Sequence, residues 1–165
     1  MRRIVLAVAA LLVSGCATVA AEVPPGEPVA MKRSSWGKPL AEWRIEPSGQ
    51  GWFKASRAAE PKGFFNYDLV TRRFSAGPDA YRRVAALLEP ARAFAGRDIP
   101  CESRATDLPY GTVSWGESQL TYDSGCMGAD AGRVIDALKA AEDHVESLAA
   151  DAPIADVEEV RQPQN

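Results

Sequence analysis

The sequence predicts an α+β domain: a mainly antiparallel sheet of about five strands, in the order β-β-β-α-β-β-α, with two helices on one face. Two observations carry this reading. Apolar and polar residues alternate in several short runs between turn-forming clusters, which is the mark of half-buried strands. Each group of such runs is then followed by a stretch whose apolar residues recur every three or four positions, which is the mark of a helix lying on a sheet.

Trp43 and Ile45 alternate with Glu42, Arg44 and Glu46, giving a strand with one buried face. Pro47-Ser48-Gly49-Gln50-Gly51 turns the chain. Residues 52–57 should return antiparallel, and a third strand is expected over 64–74, where Phe65, Tyr67 and Leu69 share a face. Gly77-Pro78-Asp79 opens a helix, because proline is tolerated in a first turn and aspartate complements the helix dipole. Its stripe is Tyr81, Val84, Leu87, Leu88 and Ala91; Pro90 should kink or split it and Gly96 should stop it. Residues 111–117 and 119–124 read as a hairpin turning at Gly116-Glu117, with Val113, Trp115, Leu120 and Tyr122 facing one way. A last helix is expected over Ala129 to Ala149, where Val134, Leu138, Ala141, Val145 and Leu148 are spaced four, three, four, three. Ser35-Trp36-Gly37 recurs as Ser114-Trp115-Gly116, with Trp43 and Tyr122 each seven residues after the tryptophan, although the rest of the two halves aligns poorly.

The chain begins with a basic pair, Arg2 and Arg3, and an uncharged apolar run from Ile4 to Val13. That run is shorter than the roughly 20 residues a membrane-spanning helix needs, so it reads as a removable export signal. The four residues that follow its core, Val13-Ser14-Gly15-Cys16, resemble the lipobox of bacterial lipoproteins, with Val13 where leucine is commonest. The resemblance covers residues 1–16 and implies cleavage before Cys16 and lipid on its sulfur, hence a membrane as partner through that lipid. Ala17, rather than aspartate, after the cysteine implies outer-membrane sorting, facing the periplasm, with inner-membrane retention or a soluble periplasmic form as alternatives. The expected organisation is a signal peptide 1–15, a lipidated flexible tether 16–34, a globular domain 35–150 and a disordered tail 151–165. A tether of about eighteen residues would reach roughly 20 to 25 Å as a flexible coil. The alternative for the tail is a short docking helix over 154–160.

With Arg2 and Arg3 removed, 17 basic residues face 22 acidic ones, and the formal charge of −5 disfavours nucleic acid and anionic headgroups. Of three cysteines, Cys16 is assigned to lipid, which leaves Cys101 and Cys126 to form one disulfide in an oxidising compartment. Closing that loop should stabilise the fold by roughly 3 kcal/mol in the chain-entropy description.

Residues for chemistry are sparse. The single histidine, His144, falls on the flank of the last helix, and neither zinc-type nor calcium-loop spacing occurs, so no metal or cofactor is expected. Ser114 lies in a hairpin strand with Thr112 where a nucleophile elbow needs glycine. Asp107, Asp123 and Asp130 are candidate carboxylates for a hydrolase of cell-wall or exported substrate only as any three acids near turns would be, and each also has a use as a turn or cap residue. Trp36, Trp52 and Tyr110 fall beside turns or on the face opposite the core. They are candidate contact points for an envelope protein or a glycan. The leading expectation is therefore a non-catalytic binding or scaffolding domain on an envelope lipoprotein, with the carboxylate hydrolase as alternative.

Overall fold

The computed structural model describes residues 26–161; the signal segment, Cys16 and the last four residues lie outside the described residues. The chain forms a small α+β domain around one antiparallel sheet. In chain order the elements are β1 (Val29–Ser35), β2 (Lys38–Ile45), β3 (Gln50–Ala58), β4 (Tyr67–Ser75), α1 (Pro78–Leu87), α2 (Glu89–Arg92), β5 (Ser103–Arg104), β6 (Tyr110–Trp115), β7 (Ser118–Asp123), β8 (Cys126–Met127), α3 (Ala129–Ala149) and β9 (Ile154–Val160). The seven-stranded sheet runs β7-β6-β1-β2-β3-β4-β9, and β5 and β8 pair separately.

Besides the separate β5–β8 pair, the strand count and order of the main sheet differ from the expectation in two places. The stretch read as tether contains most of β1, which lies inside the sheet as the third of its seven strands and joins the two expected halves. The stretch read as a frayed tail, or as a short helix, contains β9, which closes the β4 edge. The folded domain therefore extends beyond residues 35–150 on both sides.

Alternation sets which side chains meet the helices. Val29, Met31, Ala41, Trp43, Ile45, Phe53, Val113, Trp115, Leu120 and Tyr122 join Val84, Leu88, Val134, Leu138, Ala141 and Val145 in one core. Pro90 splits the first helical stretch into α1 and α2, because a proline has no N–H to give and crowds the preceding turn. Tyr67, Leu69 and Thr71 are also buried, yet the register places them on the opposite face of the sheet: Trp43 faces Phe53 and Phe53 faces Arg72, whereas Leu69 faces Ser56. Lys54 of β3 reaches Glu158 of β9 at 4.0 Å and so crosses over β4, while Lys38 stacks on Tyr67 at 4.8 Å.

The repeated tripeptide is not a duplicated unit in register. Trp36 is the first residue of the two-residue β1–β2 turn, whereas Trp115 is the last residue of β6, one step earlier in its hairpin. A slip of one residue reverses the side, so Trp115 is buried in the core and Trp36 is displayed.

Candidate functional site

The β1–β2 turn is Ser35-Trp36-Gly37-Lys38, with φ of 51° at Trp36 and 76° at Gly37. Positive φ at both central positions is the geometry that best matches the twist of paired strands, and it strongly favours Asn-Gly over any bulky residue. Trp36 holds this left-handed conformation at a cost of roughly 1 to 2 kcal/mol and is 65% exposed. Tyr110, 46% exposed, is tied to the same turn because the Gly37 N–H donates to its hydroxyl at 3.3 Å. Leu108, 45% exposed, follows Asp107, which has a φ of 67°. Together Trp36, Leu108 and Tyr110 line a shallow groove of about 450 Å³ rimmed by Arg104, Asp107 and Asp123.

Phe64 and Phe65 add to this end of the domain. They are exposed, stack edge to face at 4.9 Å, and Lys38, directly after the Trp36 turn, lies 5.1 Å from the Phe64 ring. The sequence reading assigned them to a strand, but β4 begins only at Tyr67. The adjacent Phe64-Phe65 pair breaks strict alternation, which was the available signal.

Trp52 is not part of this surface. It is half-buried on the open sheet face between Arg44 and Arg73, at the opposite end of β2. The three aspartates are also separated by role. Asp123 accepts from the Gly125 N–H at 2.8 Å and pairs with Arg104 at 3.4 Å, while Asp130 pairs with Arg133 in the first turn of α3. Asp107 and Asp123 share the groove; Asp130 does not line it. Ser114 faces outward from β6 beside Gln119, and His144 is half-buried on α3. Cys101 and Cys126 stand 5.3 Å apart between Cα atoms, at disulfide distance, so the pair ties the loop before β5 to the entrance of α3.

A second constellation escaped the sequence reading. Arg33 of β1, Gly111 of β6 and Tyr122 of β7 form one row across three strands on the helix-covered face. Glycine is needed in the middle, since a Cβ there would lie 1.9 Å from the Lys32 carbonyl oxygen and 2.8 Å from the Tyr122 hydroxyl. Above the row, Glu142 of α3 is 7% exposed and accepts from Arg33 Nε at 3.1 Å and Arg33 Nη2 at 2.5 Å. The hydrogen bond to Glu142 raises the Arg33 pKa above its ordinary value. Burial, with the Glu142 charge added to it, pushes the Tyr122 phenol well above its ordinary value. The Tyr122 hydroxyl is buried with no hydrogen-bond partner among the described residues, and Tyr122 lines a cleft of about 260 Å³ with Met31, Ile135 and Leu138. The available signals were Glu142, four residues after Leu138 on the apolar side of the helix, and Arg33, two residues after Met31 in an alternating run.

Among the described residues there is no group of His, Cys, Asp and Glu side chains able to hold a metal ion, and no helix long and apolar enough to cross a membrane. Comparison with protein-family models, with curated proteins and with solved structures returned no match.

Proposed function

We propose that this chain is an envelope lipoprotein, held to a membrane by lipid on Cys16, whose domain binds a partner protein through the Trp36, Leu108 and Tyr110 surface. The observation that carries the reading is Trp36 itself: a tryptophan in a left-handed turn position, mostly exposed, where asparagine or glycine would be more stable. A residue kept at a cost to folding has a use outside the fold. Trp, Tyr and Arg are the side chains that dominate protein contact energies, and all three meet here as Trp36, Tyr110 and Arg104.

The point at which the chain enters the domain supports a partner away from the anchoring membrane. The chain enters the domain where the Gly116 N–H donates to the Pro28 carbonyl and the Tyr81 hydroxyl donates to that of Glu27. The Trp36 turn is at the other end of β1, seven residues or about 23 Å along. Nine residues lie between Cys16 and Gly26, fewer than the expected tether has. The aromatic end is thus the one away from the chain entry and from the lipid on Cys16 that we propose.

A photo-crosslinking residue at Leu108, compared with one at Glu117 near the chain entry, tests this in intact cells. A discrete protein adduct from position 108 that disappears with Trp36→Asn is the expected result. Lipid or glycan adducts at 108, or protein adducts from 117 alone, would overturn the assignment of the surface. Cys16→Ala should independently release the domain from the membrane fraction.

A further inference from the structure

Two hydrogen-bond donors on side chains that line the cleft beside α3 have no partner among the described residues. One is the Tyr122 hydroxyl, on a residue only 4% exposed. The other is Arg33 Nη1, since Nε and Nη2 make all of that side chain's bonds to Glu142. A buried hydroxyl without a partner destabilises the fold relative to phenylalanine, so its presence asks for an acceptor from outside.

We propose that this cleft is a binding site for a small uncharged molecule carrying an amide or ester carbonyl on a compact apolar body. The carbonyl oxygen accepts from Tyr122 and Arg33, while Met31, Ile135, Leu138 and Pro109 enclose the apolar part. Charge and hydrogen bonding together select against ions of either sign. Arg33 is paired with Glu142 and Lys139 with Asp143, and Glu146 at the same cleft has no salt bridge among the described residues, so a ligand carboxylate meets no free cation. An ammonium group carries no acceptor, so it leaves the Tyr122 hydroxyl unpaired whatever Glu146 offers it. Size sets the other limit: an apolar cavity of about 150 Å³ holds benzene, and drug-sized ligands need roughly 300 Å³ or more. At about 260 Å³ the cleft suits one ring or short chain with its polar head. The site lies on the helix-covered face, whereas Tyr110 projects from the other, and it does not depend on the lipoprotein reading.

Benzamide, benzoate and benzylamine share one apolar body and differ in head group, so they serve as probes. Each is titrated into the full chain while the methyl resonances of Ile135 and Leu138 are followed. Benzamide should bind more tightly than the other two. Tyr122→Phe should melt no lower than the parent yet bind benzamide about fivefold more weakly, the change expected of one hydrogen bond. Ile135→Trp, which fills the cleft from its half-buried wall, should abolish the shift at Leu138. Tighter binding of either ion, no response to any probe at millimolar concentration, or undiminished benzamide binding by Tyr122→Phe or Ile135→Trp would overturn the proposal.

Discussion

Glu142 and Arg33 show how a charged pair can sit in an apolar interface without a stability gain of its own. Each charge loses hydration on burial, and their attraction repays this only while both are present. Glu142→Ala should therefore destabilise the domain by about 3 kcal/mol in urea unfolding, leaving the guanidinium stranded against α3. The joint replacement of Arg33 by Met and Glu142 by Leu should recover most of that loss. A double variant no more stable than Glu142→Ala would contradict this account of the pair. Tyr122 makes the same point through pH. Its phenol pKa is raised by burial, so the folded state keeps the proton that the unfolded chain loses near pH 10. The stability that Tyr122 contributes is present below that pH and declines as pH rises above it. Tyr122→Phe should flatten the loss of stability measured between neutral pH and about pH 11, with Tyr81, also raised by burial, accounting for part of what remains.

Elements were legible where their burial was one-sided and their length sufficient. The apolar spacing of α3 is uninterrupted and its bounds match the expectation, as does the β6–β7 hairpin around its Gly116 turn. β1 was hidden by position and composition: it follows Pro24-Pro25-Gly26 and ends in Lys32-Arg33-Ser34-Ser35, so only Val29 and Met31 signal a core face. Its partners are β2 on one side and β6 on the other, contacts more than seventy residues from the latter that no local pattern encodes. β9 was hidden for the opposite reason, being exposed along nearly its whole length. Its ladder to β4 holds it, with Arg161 paired to Asp68 at 2.8 Å, and Asp156, Glu158 and Glu159 discourage further strands from adding to that edge. Deleting residues 151–165 removes this ladder and uncovers Leu69 and Val70. It should lower stability by more than about 2 kcal/mol, well beyond the change expected of a solvated tail. Amide exchange in β4 that stays slow in the truncated chain would return these residues to the status of a tail.

At the scale of the whole molecule, the sheet has two unlike ends. The chain enters beside Gly116 and α1, and the exposed aromatics gather at the far end, around Trp36, Phe64 and Tyr110. The sequence indicated that Trp36 and Tyr110 are exposed, since both fall at turn or strand boundaries, but not that a hydrogen bond joins them, nor that Trp52 lies elsewhere. Those facts follow from strand order, in which β1 joins the β6–β7 hairpin to β2 and the β2–β3–β4 pairings place Trp52. The measurement that tests the central claim most directly is the pairing of stability with partner capture in Trp36→Asn. Asn-Gly is the preferred sequence for this turn, so the variant should gain about 1 kcal/mol of stability while losing the crosslinked adduct formed from position 108. A variant that is less stable than the parent, or one that is more stable and still forms the adduct, would contradict the claim that Trp36 is held at the tip for contact.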